Sequence, residues 1–236
     1  MHLLLPALQK GLDGLSLTLT ETQQTQLLAY MDLIGKWTKV YNLTAVRDAN
    51  EMLTHHLLDS LAVIAPLRRE LAKLSVPASD LAAGSPVDGG LAGAKHGQDK
   101  FTLLDVGAGA GLPGIVIAIT CPEVSVTCVD AVAKKAAFIQ QVAATFKLPN
   151  LRGIHARVES LTHPYDVVCS RAFASLLDFT TWSGPALAKH GVWMAMKGKH
   201  PDQELAALPE SVKVFHVEQL QVPGLDAERC IVWMRG

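Results

Sequence analysis

The chain has 236 residues, 49% of them hydrophobic and 18% charged. That balance suits a buried core with one domain and an appendage, and it excludes a largely disordered chain or a rod. Twenty-one Lys and Arg against 22 Asp and Glu leave a formal net charge of −1, which excludes a grip on nucleic acid by bulk charge while leaving room for a local basic face.

Residues 1–74 read as an N-terminal helical extension. The opening Met1-His2-Leu3-Leu4-Leu5-Pro6 lacks the basic and long apolar regions of a signal peptide. Thr20-Glu21-Thr22-Gln23 has the form of a capping box, and Leu27, Met31, Ile34 and Trp37 recur at helical spacing. A second helix opens at Asp48-Ala49-Asn50-Glu51, carries Leu53, Leu57, Leu61 and Ile64 on one stripe, and is expected to end or kink at Pro66. His55 and His56 are adjacent on that helix, face different directions and so form no metal pair; a surface or core-rim role is expected. Residues 75–100 differ: fifteen of these 26 are Ala, Gly, Ser or Pro, a composition that buries little and reads as a mobile loop.

From residue 101 to 236 strand-like and helix-like segments alternate. Strands are expected at 101–106, 124–130, 151–156, 166–170, 192–197, 212–217 and 230–234, with helices opening at Ile115 and running from Lys134 to about Lys147. Such alternation implies an α/β fold with a doubly wound, mostly parallel sheet. The last two strands follow each other across a Pro-Gly loop, which suggests an antiparallel C-terminal edge. Cys121, Cys128, Cys169 and Cys230 lie far apart with no Cys-x-x-Cys pair. They read as reduced core residues and, with no apolar run near the ~18 residues of a membrane span, support a cytoplasmic, membrane-free expectation.

The strongest signal is Leu103-Leu104-Asp105-Val106-Gly107-Ala108-Gly109-Ala110-Gly111-Leu112-Pro113-Gly114. A buried strand runs into glycines at alternate positions and then into a helix. Glycine serves where the chain turns sharply or a ligand approaches the backbone, and amides at the helix start are expected to face a polar ligand group. Two ligands compete. Gly109-x-Gly111-x-x-Gly114 fits a dinucleotide fingerprint with Asp130 for the ribose, but in that register the motif starts two residues after the strand has stopped. Read from Gly107, the Asp-x-Gly-x-Gly-x-Gly pattern resembles motif I of the class I S-adenosylmethionine-dependent methyltransferases, a Rossmann-like fold.

A closer resemblance covers nearly the whole chain outside residues 75–100. Lys36-Trp37 through Tyr41-Asn42-Leu43-Thr44, His56-Leu57-Leu58-Asp59-Ser60, Gly111-Leu112-Pro113-Gly114, Arg157-Val158-Glu159, Ser170-Arg171-Ala172-Phe173-Ala174, Lys197-Gly198, Leu220-Gln221-Val222-Pro223 and Glu228-Arg229 occur in that order. Together they resemble the glucose-inhibited division protein B family, bacterial 16S ribosomal RNA guanine-N7 methyltransferases. The resemblance implies S-adenosyl-L-methionine as cofactor, held by Gly107, Leu112, Asp130, Ala131, Val158, Glu159 and Arg171, with Arg171 also facing the reacting centre. It implies 16S ribosomal RNA as partner, within the small ribosomal subunit; a monomer without metal is expected.

The residues agree with such chemistry. Methyl transfer from a sulfonium is an in-line displacement that mainly needs alignment, and guanine N7 offers a lone pair with no proton to remove. After the fourth strand stands Ser170-Arg171-Ala172-Phe173, not the Asn/Asp-Pro-Pro-Tyr/Phe run of amino-methylating enzymes. Arg171 suits an RNA phosphate, a base or the cofactor carboxylate, and Phe173 either stacks on a base or fills the core. Lys36, Lys39, Arg47, Lys197 and Lys199 would make a modest phosphate-binding rim if the fold brings them together. A small-molecule methyltransferase of the same fold, a nicotinamide-dependent oxidoreductase and a non-catalytic cofactor-binding regulator stay open at this level.

Overall fold

A computed structural model describes residues 2–75 and 100–236; the Ala/Gly/Ser/Pro-rich stretch, apart from its two end residues, lies outside the described residues. Helix α1 (Leu5–Gly14) carries its proline in the first turn, where no amide partner is needed. Helix α2 (Glu21–Tyr41) starts with a full capping box: the Thr20 hydroxyl accepts the Gln23 N–H at 3.2 Å, and the Gln23 side chain accepts the Thr20 N–H at 3.0 Å. It stops at Asn42, whose φ of 50° is left-handed. Arg47 secures that end by donating to the Thr38 carbonyl at 3.0 Å and to Asn42 Oδ1 at 2.7 Å.

Asp48 caps the next segment, accepting the Asn50 and Glu51 amides at 2.9 and 3.0 Å. This segment is not the single α-helix its apolar stripe suggests. Helix α3 (Ala49–Met52) passes into a π-helical turn (Leu53–Leu58) and then α4 (Asp59–Leu61). Nor does Pro66 end it. The break falls earlier, and Pro66 sits in the first turn of α5 (Ile64–Leu74), where the missing N–H costs nothing.

Seven strands form one sheet: β1 (Phe101–Val106), β2 (Val124–Asp130), β3 (Leu151–His155), β4 (Tyr165–Arg171), β5 (Leu187–Lys197), β6 (Lys213–Leu220) and β7 (Arg229–Arg235). Their order is β3-β2-β1-β4-β5-β7-β6. The first five pair in parallel, and β7 pairs antiparallel with both β5 and β6. The C-terminal hairpin thus forms the antiparallel edge, with β7 on its inner side and β6 outermost. Between strands lie α6 (Gly114–Thr120), α7 (Ala133–Thr145), α8 (Leu176–Ser183) and α9 (Asp202–Ala206).

Strand alternation sends Leu103, Val126, Cys128, Val167, Cys169 and Trp233 to one face, where they share a continuous core with α2, the π turn, α5, α6 and α7. Leu104, Val106, Val129, Val168 and Met234 turn to the other face, beneath Leu176 and Phe179 of α8. The N-terminal helices therefore bury their apolar stripe against the same core as the sheet. All four cysteines are buried free thiols. Among the described residues, no helix is long and apolar enough to cross a membrane.

Candidate active site

Five parallel strands present their carboxyl ends along one edge, and the glycine loop sits at its centre after β1. Gly107, Gly109 and Gly111 take φ values of 65°, 60° and 86°, the left-handed region that side chains resist. The three are not equivalent. A Cβ on Gly107 would collide with the Phe173 ring and one on Gly111 with Ile115, whereas on Gly109 the nearest atom would be the Gly107 carbonyl oxygen at 3.8 Å. Gly109 alone of the three faces open space, as a backbone approached by a ligand would. The start of α6 is otherwise engaged: the Gly114 N–H donates to Asp105 Oδ2 at 2.9 Å, so it does not face a ligand as the motif suggested. Asp105 lies across the sheet from Cys128 on β2 and Cys169 on β4, and the Cys169 thiol donates to Oδ1 at 3.7 Å. Burial pushes its carboxyl up to about 7, opposed by the Gly114 amide and the Arg171 charge.

Two cavities open at this edge and share Gly107 as a common wall. The smaller, of about 300 Å³, is lined by Val106, Val129, Asp130, Ala131, Val158 and Glu159, with Phe173 and Trp182 beside them. The last two rings meet edge to face at 5.9 Å. Asp130, at the end of β2, accepts the Gly109 and Val132 amides at 2.9 and 2.8 Å, with Lys135 Nζ at 3.8 Å. Val158 and Glu159 lie in a short 3-10 turn after β3; Val158 is buried, and Glu159 is exposed and paired with Arg157 at 3.0 Å. An amide of its own backbone and that guanidinium hold the Glu159 carboxyl below its ordinary value.

The larger cavity, of about 610 Å³, takes Gly107, Gly109 and Leu112 from the loop, Arg171 from β4 and Met196 from β5. Part of its wall comes from the N-terminal extension through Thr44, His55, His56 and Asp59, and part from Lys197 and Arg229 of the sheet. Arg171 Nη1 donates to the His55 carbonyl at 2.9 Å and to Asp59 Oδ2 at 2.8 Å. Arg229 Nε donates to Asp59 Oδ1 at 2.9 Å. Because β7 runs antiparallel, its first residue reaches the same edge as the last residues of β4 and β5. One buried carboxylate from the helical layer thus clamps two guanidiniums from the sheet. His56 Nε2 and the Thr44 hydroxyl share a 2.6 Å hydrogen bond. Burial, then the Arg171 charge, lowers the His56 imidazole below its ordinary value.

The edge thus brings together all the residues singled out beforehand, Gly107, Leu112, Asp130, Ala131, Val158, Glu159 and Arg171, in the walls of two adjoining cavities. Sequence reasoning gave no site role to Asp59, Thr44, His55, His56 or Arg229. One signal was available: an aspartate inside the apolar run Leu57-Leu58-Asp59-Ser60-Leu61 must find a counter-charge when buried. The proposed basic rim is partly committed elsewhere. Arg47 caps α2, and Lys197 donates to the Ala174 carbonyl at 3.0 Å and to Glu204 at 2.7 Å. Val40 and Tyr41, 71% and 41% exposed, end α2 beside cavity residues Leu43 and Thr44.

The strand order, the inner antiparallel last strand and the glycine loop between two adjoining cavities define a class I methyltransferase fold. The chain belongs to the GidB family, whose model, described as rRNA small subunit methyltransferase G, matches residues 23–81 and 90–232. A Ribosomal RNA small subunit methyltransferase G from Polaromonas sp. strain JS666 is 67% identical over 229 residues, covering 97% of this chain and 92% of its own. The protein of that name from Polaromonas naphthalenivorans is 62% identical over 228 residues, covering 97% and 94%. Among solved structures, a SAM dependent methyltransferase from Aquifex aeolicus aligns over 57% of this chain and 81% of its own, at 15% identity and a TM-score of 0.46.

Proposed function

We infer that the protein transfers a methyl group from S-adenosyl-L-methionine to N7 of a guanine in 16S ribosomal RNA. The observation that carries this reading is the pair of cavities meeting at Gly107, one mainly apolar and one of mixed lining that holds Arg171 and Asp59, under a loop whose Gly109 is open to a ligand. The cofactor fits that cradle. Val106, Val129 and Val158 give the smaller cavity the apolar walls an adenine needs, with Ala131 and Glu159 at its edge. Each Asp130 oxygen accepts one amide and keeps acceptor capacity for a ribose hydroxyl. Gly107, Leu112 and Arg171 would border the amino-acid end. When bound, the cofactor supplies an electrophilic methyl group on a sulfonium.

The chain's own groups suit an acceptor with no proton to lose. Asp59, the carboxylate of the larger cavity, has both oxygens engaged by guanidinium donors, Oδ2 by Arg171 and Oδ1 by Arg229. What remains is alignment, and Arg171, whose Nη1 is held between the His55 carbonyl and Asp59, is placed for it. We further propose that the protein acts in the cytoplasm as a monomer, without a metal, on the small ribosomal subunit. Its net charge of −1 suits a preformed particle better than capture of naked RNA.

The test is methyl transfer from labelled S-adenosyl-L-methionine to small subunits from a strain lacking this enzyme, with naked 16S RNA as comparator. Label at a single guanine N7, located by strand scission at 7-methylguanine, is the expected result. Label on another atom would overturn the N7 assignment, and none with S-adenosylhomocysteine still bound would point to the small-molecule reading. In the same assay Arg171→Lys is expected to lower turnover at least about tenfold, because it keeps the charge and loses the two-point planar donor. Wild-type turnover in that variant would remove Arg171 from the reacting centre.

A further inference from the structure

Helix α2 belongs to the N-terminal layer, yet one of its side chains reaches the glycine loop. Tyr30 is 1% exposed, lies beside the Phe138 ring of α7 at a centroid distance of 6.3 Å, and donates its hydroxyl to the Ala110 carbonyl at 2.6 Å. The other end of that peptide is also held: the Gly111 N–H donates to the Ala108 carbonyl at 2.7 Å. A peptide unit is planar and turns as one body, so these two bonds together fix its orientation. The plane spans the Ala110 and Gly111 Cα atoms, and on the Gly111 side, where φ is 86°, the absence of a Cβ makes rotation inexpensive.

We propose that Tyr30 is a positioning residue for the cofactor. It locks the Ala110–Gly111 peptide and so sets the shape of the loop against S-adenosyl-L-methionine. Tyr30 lines neither cavity; it acts through Ala110, which does line one. The N-terminal helices therefore contribute to cofactor affinity and not only to the substrate side of the site. Burial pushes the Tyr30 phenol well above its ordinary value, so the donor stays protonated at any working pH. The inference rests on reading this loop as the cofactor loop.

Tyr30→Phe removes one oxygen and keeps the ring. In the full chain, S-adenosylhomocysteine affinity by calorimetry is expected to weaken about fivefold, the scale of one neutral hydrogen bond. The KM for S-adenosylmethionine is expected to rise by the same factor, while the KM for small ribosomal subunits stays unchanged. Phe138→Leu loosens the same core and spares the hydroxyl, so a lower melting temperature with wild-type affinity is expected. Unchanged affinity in Tyr30→Phe overturns the proposal, as does equal weakening in Phe138→Leu. In the wild-type chain the Gly111 amide is expected to exchange hydrogen only on global unfolding; fast local exchange would also overturn it. If the wild-type protein binds no S-adenosylhomocysteine, the functional reading fails instead, and Gly111 exchange still decides whether Tyr30 holds the peptide.

Discussion

Asp59 is where the helical layer and the sheet are joined by charge, and its removal has a computable consequence. Its side chain is 3% exposed, and those of Arg171 and Arg229 are 19% and 23% exposed, so the three-way contact is largely shielded from water. Asp59→Ala leaves two neighbouring guanidiniums without their counter-charge. Breaking a buried pair in that way costs about 3–5 kcal/mol, because the surviving charge is left desolvated. Arg229→Ala is different. Asp59 keeps Arg171, and the loss is one charge-assisted hydrogen bond, about 1.5–3 kcal/mol. Removing both arginines orphans the aspartate, so the double variant is expected to lose more than the sum of the singles. Urea unfolding followed by tryptophan fluorescence measures the wild type, Asp59→Ala, Arg171→Ala, Arg229→Ala and the double arginine variant, with fully buried Trp233 as an internal reporter. An Asp59→Ala cost below about 1 kcal/mol, the range of exposed pairs, or strict additivity in the cycle, would show that solvent screens the clamp and that packing alone holds the layers together.

The loop and the buried acid beneath it give two more expectations. In Gly109→Val the added Cβ meets no atom closer than 3.8 Å and the left-handed backbone costs about 1–2 kcal/mol, so the variant should fold and lose S-adenosylhomocysteine binding; calorimetry showing wild-type affinity in a folded variant would take this loop out of the site. The Asp105 carboxyl titrates at about 7 in the native protein and at about 4 when unfolded. Between those values the native state binds more protons, so this group's contribution to stability falls as pH rises across the window and levels off above 7. Asp105→Asn removes that slope, and its melting temperature relative to wild type should climb from pH 4 to pH 7; a constant difference would mean that Asp105 titrates normally.

What the sequence alone determined is local. The capping box at Thr20, the Asp48 cap, the strands from 101 onward and the glycine loop after β1 are legible because each rests on residues within a few positions of one another. The same holds for Asp130 and for Val158-Glu159, which must lie at one edge once the strands are parallel. The tertiary structure alone decided the rest. Pro66 was misjudged because whether a proline ends a helix or begins the next depends on where the break falls, and that is set by packing against the sheet. Asp59 reaches Arg171 across 112 residues and Arg229 across 170, and Tyr30 reaches Ala110 across 80. Contacts at such separations leave no periodicity in the chain. They exist because α2 and the π turn bury their apolar stripe on the face of the sheet that carries Asp105, which brings buried polar groups within reach of partners that satisfy them.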